Sequence, residues 1–244
     1  VDLVKQGRYE EAKERFGSKE DLSAQDAEGN TALHIAARAN EGDLCSFLIV
    51  KGANIEAVNN EGNTPILEAI KNGSFEATKV LSTMNANIFA KDGEENSAIE
   101  LAIAMGDDWY DTMINEQTGK IRSVDGESIV HYFVKTKDEK AIDICIRQNL
   151  PLSVKDNAGL TPLAVAFQNA KDSASIRIAA KLILAGSELV RGDFDYFEDS
   201  IKTHNVMLRF NDGQTPLHIA TISGHTGIVG YLLRNNGSIR MQDM

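Results

Sequence analysis

Apolar residues along this chain recur at the spacing of short amphipathic helices. Between Asp43 and Lys51 the apolar residues lie three or four positions apart, or directly adjacent, which places them on one face of a helix. Gly52-Ala53-Asn54 follows, and glycine suits the left-handed backbone just past a helix end. The turn Asn60-Glu61-Gly62 then precedes the next apolar segment. The pattern predicts short helices in pairs joined by turns, with almost no strand.

A short sequence motif, called the phrase below, recurs at the start of the first helix of each pair. Its first residue is Thr or Ser at positions 31, 64, 97, 128, 161 and 215, at spacings of 33, 33, 31, 33 and 54 residues. Thr and Ser cap helices by accepting a backbone N–H, and Pro fits the first helical position. The last spacing is one period plus a 21-residue insertion. A fixed period of this length predicts stacked helix-turn-helix units with projecting loops, not one globular core.

These phrases resemble those of the ankyrin-repeat family. Thr64-Pro65-Ile66, Thr161-Pro162-Leu163 and Thr215-Pro216-Leu217 carry the resemblance most clearly. The run 224–233 is similar to the family's second helix almost residue for residue, and the resemblance covers nearly the whole chain. It implies an all-α ankyrin-repeat solenoid of stacked helix-turn-helix units with projecting hairpin loops.

We predict a single ankyrin-repeat array over residues 1–244. Because the chain begins at Val1 within the tail of a helix, we expect the natural product to extend further at this end. Terminal units carry a polar outer face, so Arg8, Glu11 and Arg15 are expected to be exposed. The predicted units are a partial repeat at 1–25, repeats at 26–58, 59–91, 92–122, 123–155 and 156–209 with an insertion at 191–209, and a C-terminal repeat at 210–244.

Two stretches depart from the regular pattern. In the degenerate third and fourth repeats, Glu100 and Phe133 stand where the family usually has His and Ala. Within the insertion, residues 191–201 carry three aromatic residues and four carboxylates, and insertions in solenoids emerge on one face. A small-ligand or metal site in this insertion is one alternative, although the spacing of a calcium-binding loop is missing. We favour a solvated acidic loop whose aromatic residues cover the stack.

Composition narrows the class of partner. The net charge of −11 disfavours nucleic acid and anionic membrane surfaces and favours a protein partner with a basic patch. The sequence contains no run of 18 apolar residues, so we predict no membrane insertion. Cys45 and Cys145 lie about three units apart, so we expect two buried thiols and no disulfide. A reducing compartment is compatible with this, and a cytoplasmic location is favoured.

No catalytic chemistry emerges from the motifs. The resemblance implies that His34, His131 and His218, at the fourth position of the phrase, bond the cap hydroxyl and loop backbone. A lone His204 in the insertion is poor support for catalysis. The chain lacks zinc, phosphate-loop and serine-nucleophile signatures. We therefore predict a protein that is not an enzyme and has no cofactor and no metal.

The predicted function is a monomeric, non-catalytic scaffold that binds a protein partner on a concave surface of loops and first helices. The alternative is a regulatory or targeting fragment of a larger multidomain protein. The resemblance implies that partner contacts flank the repeated phrase and follow its Ala residues. In this chain those positions are Glu28, Asn30, Arg38, Glu61, Asn63, Lys71, Asn72, Glu94, Glu95, Met105, Asp125, Lys135, Gln168, Asn169, Asp212, Gln214 and Ile222.

Overall fold

The structure is a computed structural model that describes residues 1–17, 21–106, 108–168, 173–187 and 221. Over these residues the regular secondary structure is helical, apart from one isolated antiparallel bridge between Lys91 and Ser97. This confirms the all-α prediction. The chain divides into two compact units, Val1–Ile121 and Arg122–Met244, and each is described by itself.

The first unit is a series of antiparallel helix pairs. First helices pack on first helices and second helices on second helices, because each helix presents an apolar stripe to the next repeat. The pairs are α1 (Asp2–Lys5) with α2 (Tyr9–Gly17), α3 (Ala32–Arg38) with α4 (Gly42–Val50), α5 (Pro65–Lys71) with α6 (Phe75–Thr83), and α7 (Ala98–Met105) with α8 (Asp108–Met113), followed by a 3-10 turn at Thr118–Lys120.

The second unit repeats the same arrangement. Its helices are α9 (Ile129–Thr136), α10 (Glu139–Arg147), α11 (Pro162–Gln168) and α12 (Ser173–Leu184). Helix α9 packs on α11 and α10 packs on α12. The phrase that begins each first helix is therefore a helix start in both units, as its Thr or Ser cap predicted.

Small residues set the spacing between neighbouring repeats. Ala36, Ala69 and Ala102 stand at the same position of three successive first helices, and all three are buried. Larger apolar side chains such as Leu33 and Leu48 fill the space on either side. Burying one such side chain contributes about 1.5–3 kcal/mol, so the apolar faces hold the stack together.

Several smaller predictions have outcomes here. Arg8, Glu11 and Arg15 are exposed, as expected. Cys45 and Cys145 are both free and buried, and burial raises the pKa of each thiol to about 12. Among the described residues, no helix combines the length and apolar character that crossing a bilayer requires.

Other predictions lie outside the described residues. These are the course of the insertion at 191–209, the C-terminal repeat at 210–244, and the roles of His204 and His218. The single array over 1–244 stays a prediction, because each unit is described by itself.

Candidate partner-binding surface

Each loop before a first helix is held by the side chain of its first residue. Asp26 Oδ1 accepts the backbone N–H of Glu28 at 3.0 Å and of Asn30 at 2.8 Å. Asp92 Oδ1 accepts the corresponding two N–H groups at 2.9 Å each. This bonding recurs in the loops 26–30, 59–63, 92–96, 123–127 and 156–160, whose first residues are Asp26, Asn59, Asp92, Ser123 and Asp156.

The third residue of these loops points a carboxylate outward in four of the five cases. Because the first side chain fixes the backbone on either side of it, the third residue stands at the tip of an ordered turn. These residues are exposed, and they recur once per repeat within each unit. They are Glu28, Glu61 and Glu94 in the first unit and Asp125 in the second.

Asparagine at the second loop position ties neighbouring loops together. The backbone N–H of Asn60 donates to the Glu28 carbonyl at 3.0 Å, and its Nδ2 donates to the Ala27 carbonyl at 3.1 Å. In the second unit, Asn157 makes the same two bonds to the Asp125 and Val124 carbonyls, at 2.9 and 3.1 Å. Sequence reasoning missed this clamp. Its only signal was an Asn at a position that other loops fill with Ala, Gly or Val.

The repeat histidine joins the helix cap to the next loop. The Thr31 N–H donates to His34 Nδ1 at 3.2 Å, so this nitrogen is unprotonated, and the Thr31 hydroxyl lies 2.9 Å from it. His34 Nε2–H then donates to the Asn63 carbonyl at 3.0 Å. His131 makes the equivalent contacts with Ser128 and the Leu160 carbonyl. The predicted role of both residues is confirmed.

This role requires a neutral ring. Both imidazoles are buried, and burial lowers the pKa of His34 and of His131 below the usual 6.5, although the accepting carbonyls oppose the change. The neutral form is therefore favoured in the folded protein. Stability from this source is present in full above the unfolded pKa and is lost as pH falls through the folded pKa.

We expect the free energy of unfolding of the first unit to fall by about 1 kcal/mol between about pH 7.5 and pH 5.5 because of His34. The variant His34→Gln should be less stable at neutral pH and should show a flatter profile over this range. Glu56, whose pKa burial raises, is common to both proteins and cancels in their difference. Urea unfolding followed by fluorescence of Trp109, the single tryptophan, measures both profiles. Identical slopes would contradict the neutral-ring argument.

Among the described repeats, the second, third and fifth lack the histidine and have Leu67, Glu100 and Ala164 at its position. In the third repeat, Glu100 Oε2 accepts from the Ser97 N–H and hydroxyl at 2.7 Å each, which forms a capping box. In the second repeat Leu67 takes the histidine position, and the buried Thr64 hydroxyl has no hydrogen-bond partner among the described residues. The next residue, Glu68, instead bonds the loop that precedes its own helix.

Glu68 is a buried carboxylate at the centre of a polar network. Its Oε1 accepts from Asn59 Nδ2 at 2.8 Å and Asn63 Nδ2 at 2.9 Å, and its Oε2 accepts from Arg38 Nε at 2.9 Å. Burial raises the pKa of this carboxyl, but the donors outweigh burial and leave the pKa below its usual range. The ionised carboxylate thus fastens the second loop to helices α3 and α5.

The cations on the first helices are neutralised within the chain. Lys5 Nζ lies 2.8 Å from Asp26 Oδ2, and Lys71 Nζ lies 2.9 Å from Asp92 Oδ2. In the second unit Lys135 pairs with Glu127. Each lysine therefore supports a loop, and its charge is matched by a carboxylate that is more buried than the lysine itself.

The predicted contact residues separate into exposed and buried groups. Asn30 and Asn63 are each only 1% exposed and bond within the loops. Asn169, Asp212, Gln214 and Ile222 lie outside the described residues. The exposed members are Glu28, Arg38, Glu61, Lys71, Asn72, Glu94, Glu95 and Met105 in the first unit, and Asp125, Lys135 and Gln168 in the second.

In the second unit, three carboxylates surround a cleft of about 530 Å³ between two loops and helices α9 and α11. Among the described residues of its lining Lys135 is the one cation, so they carry net negative charge. Val124, beside the cleft, is 95% exposed and was not among the predicted contacts. The lining carboxylates are Asp125, Glu127 and Asp156.

Within the described parts of the chain, no three His, Cys, Asp or Glu side chains are grouped closely enough to hold a metal ion. The insertion at 191–210, the alternative ligand site, lies outside those parts.

Comparisons with known proteins agree with the repeat architecture. A model of three ankyrin repeats matches residues 2–92, and a single ankyrin-repeat model matches residues 212–244. No curated protein sequence matches significantly. An ankyrin repeat domain from Acinetobacter baumannii is 20% identical, with 96% of this chain and 95% of that chain covered and a TM-score of 0.36. The second structure is that of a predatory endopeptidase from Bdellovibrio bacteriovorus in complex with an immunity protein. The matching chain in it is 26% identical, with 74% of this chain and 94% of that chain covered and a TM-score of 0.42.

Proposed function

Because this chain belongs to the ankyrin-repeat family, whose members generally act as protein-interaction modules, we propose that it is a non-catalytic scaffold for a protein partner with a basic patch. The observation that carries the proposal is the exposed carboxylate at the tip of four fixed loops. The partner contacts these tips and the adjacent first helices. We propose further that the repeats form a single array and that the chain is a monomer.

The use of the described histidine and cysteine side chains supports a non-catalytic role. Both ring nitrogens of His34 and His131 are engaged with cap and loop atoms, which leaves no nitrogen for proton transfer to a substrate. Cys45 and Cys145 are buried thiols with raised pKa values, so neither supplies a thiolate nucleophile.

Electrostatics favours a basic partner. Lys5, Lys71 and Lys135 are matched by carboxylates of the chain, so they do not offset the charges at the loop tips. Exposed charges of one sign steer an oppositely charged partner and raise its association rate. The acidic cleft of the second unit adds a place for a lysine or arginine side chain of the partner.

The contact set is narrower than the sequence suggested. Buried Asn30 and Asn63 support the surface from within, whereas the exposed residues are available to a partner. We keep Asn169, Asp212, Gln214 and Ile222 as proposed contacts, and we add Val124 for its exposed apolar side chain.

We expect the double charge reversal Glu61→Lys with Glu94→Lys to slow association with the partner by about tenfold at low salt and to leave folding intact. The partner is first captured by affinity purification with the unmodified chain and identified by mass spectrometry. Stopped-flow association at about 50 and 200 mM salt then compares the two proteins, with the larger difference at low salt.

The matched control reverses two exposed carboxylates on second helices, Asp43→Lys with Glu76→Lys, which changes net charge equally. This control should associate at nearly the rate of the unmodified chain. If both double variants slow association equally, only net charge matters and the loop tips are not the contact surface. A rate insensitive to salt and to both reversals would overturn the electrostatic part of the proposal.

A further inference from the structure

A groove separates the second helices of repeats two and three in the first unit, at the opposite end of the helices from the loops. It begins at the turns that precede α6 and α8 and has a volume of about 710 Å³. Phe75 and Trp109 meet edge to face, with ring centroids 5.4 Å apart, in its lining. Met105, at the end of α7, is 48% exposed at the same place.

The groove follows from the irregularity of the third repeat. Helix α8 has six residues, whereas its counterparts α4 and α6 have nine. In the lining of this groove Phe75 is partly exposed, whereas Trp109 is only 8% exposed. Of the residues that line the groove, the proposed scaffold surface includes only Met105.

Unpaired charges of opposite sign line the two walls. Lys79 lies one turn after Phe75 on α6, and Asp108 and Asp111 are three residues apart on α8, so each set shares a helix face. Among the described residues none of these three side chains has an ion-pair or hydrogen-bond partner. Elsewhere in this unit Lys5, Lys71 and most other cations are paired.

We propose that this groove binds a partner segment in which a bulky apolar side chain lies next to a lysine or arginine. The apolar side chain packs against Met105 and the exposed part of Phe75, close to Trp109, and the cation lies between Asp108 and Asp111. Two carboxylates against one ammonium make a basic segment the better match for the rim. A second copy of this chain is disfavoured, because each copy carries a net charge of −11.

Trp109 makes the groove directly observable, since it is the single tryptophan of the chain. The probe is a pentapeptide, Gly-Lys-Leu-Lys-Gly with blocked ends, titrated into the full chain to roughly 5 mM, within the range of weak peptide affinities. We expect a saturable change in tryptophan emission. Gly-Glu-Leu-Glu-Gly and Gly-Lys-Ser-Lys-Gly, which reverse the charges or remove the apolar side chain, should each bind at least roughly fivefold more weakly.

Two variants with opposite expected effects on peptide affinity distinguish a change in recognition from damage to the fold. Asp108→Asn with Asp111→Asn should weaken the basic peptide roughly fivefold, while Lys79→Glu should tighten it roughly threefold. A damaged fold does not produce tighter binding. The control Asp43→Asn with Glu76→Gln removes two exposed carboxylates outside the groove and should leave the affinity unchanged.

Three results would overturn the proposal. The first is no saturable response to the basic peptide. The second is equal or tighter binding of the acidic peptide. The third is an emission change on dilution without peptide, accompanied by dissociation in sedimentation, which would make a second copy the occupant. None of these bears on the loop-tip scaffold role, because the groove and the loops lie at opposite ends of the helices.

Discussion

Replacing Glu68 with Ala lowers the free energy of unfolding of the first unit by about 3 kcal/mol. The substitution removes one acceptor from each of two buried amides, Asn59 Nδ2 and Asn63 Nδ2. Each amide keeps its second bond, to Asn30 Oδ1 at 2.9 Å and to Glu61 Oε2 at 3.2 Å, but one N–H of each is left without an acceptor. An unsatisfied buried donor costs about 1–3 kcal/mol, whereas the lost ion pair to the half-exposed Arg38 costs less. Urea unfolding followed by Trp109 fluorescence measures the change.

Arg38→Ala is the matched control, because it removes the ion pair but leaves both amides bonded. We expect it to cost about 1 kcal/mol or less, since the Arg38 side chain is 44% exposed. The double variant should lose less unfolding free energy than the sum of the two single losses, because the Arg38 interaction is already lost when Glu68 is removed. If Glu68→Ala costs no more than Arg38→Ala, the amide network does not stabilise the fold as argued.

The architecture was predictable because the same local sequence features recur in each repeat. A Thr or Ser cap, a small Ala at the same position and a histidine after the cap are local features, and repetition in phase makes chance agreement improbable. The bonds of His34 and His131 were expected for the same reason. The residues involved sit at a fixed distance along the chain from the loop of the next repeat.

The Glu68 network was not predictable from the sequence in the same way. A carboxylate at this position of one helix stands where the phrase usually has an apolar residue, and nothing local indicates that it turns inward. Its burial depends on three donors contributed by Arg38, Asn59 and Asn63, which come together only when two repeats stack. Sequence reasoning assigned Asn63 and Arg38 to a partner for this reason.

The same limit applies to the charges of the surface. For Arg38, Lys71 and Lys135 the sequence shows three cations at the ends of first helices but not their partners. Each is matched by a carboxylate brought close by packing, so these cations do not offset the exposed acidic loop tips. Which exposed residues meet a partner remains a proposal.

Replacing Gly29 with Ala lowers the free energy of unfolding of the first unit by about 3 kcal/mol. Gly29 has φ of +79°, a left-handed conformation that costs an L-residue about 1–2 kcal/mol. An added Cβ would also lie 2.5 Å from Asn60 Oδ1 and 2.8 Å from the Asn60 backbone nitrogen. The new methyl group therefore pushes apart the two loops that Asn60 joins.

Substitutions at two other glycines distinguish the cost of left-handed backbone strain from the cost of the steric contact made by the added Cβ. Gly52→Ala, at φ +99° with nothing within 4 Å of the added Cβ, should cost about 1 kcal/mol from backbone strain alone. Gly62→Ala, at φ +79° with the Gly93 nitrogen at 3.3 Å, should fall between the two. Urea unfolding of the three variants measures the loss of unfolding free energy in each. Equal losses would show that the loops move apart at no cost and that the steric contact does not matter. Adding Asn60→Gly to Gly29→Ala should recover only part of the loss, because the clash with the backbone nitrogen remains and the clamp to the Ala27 carbonyl is gone.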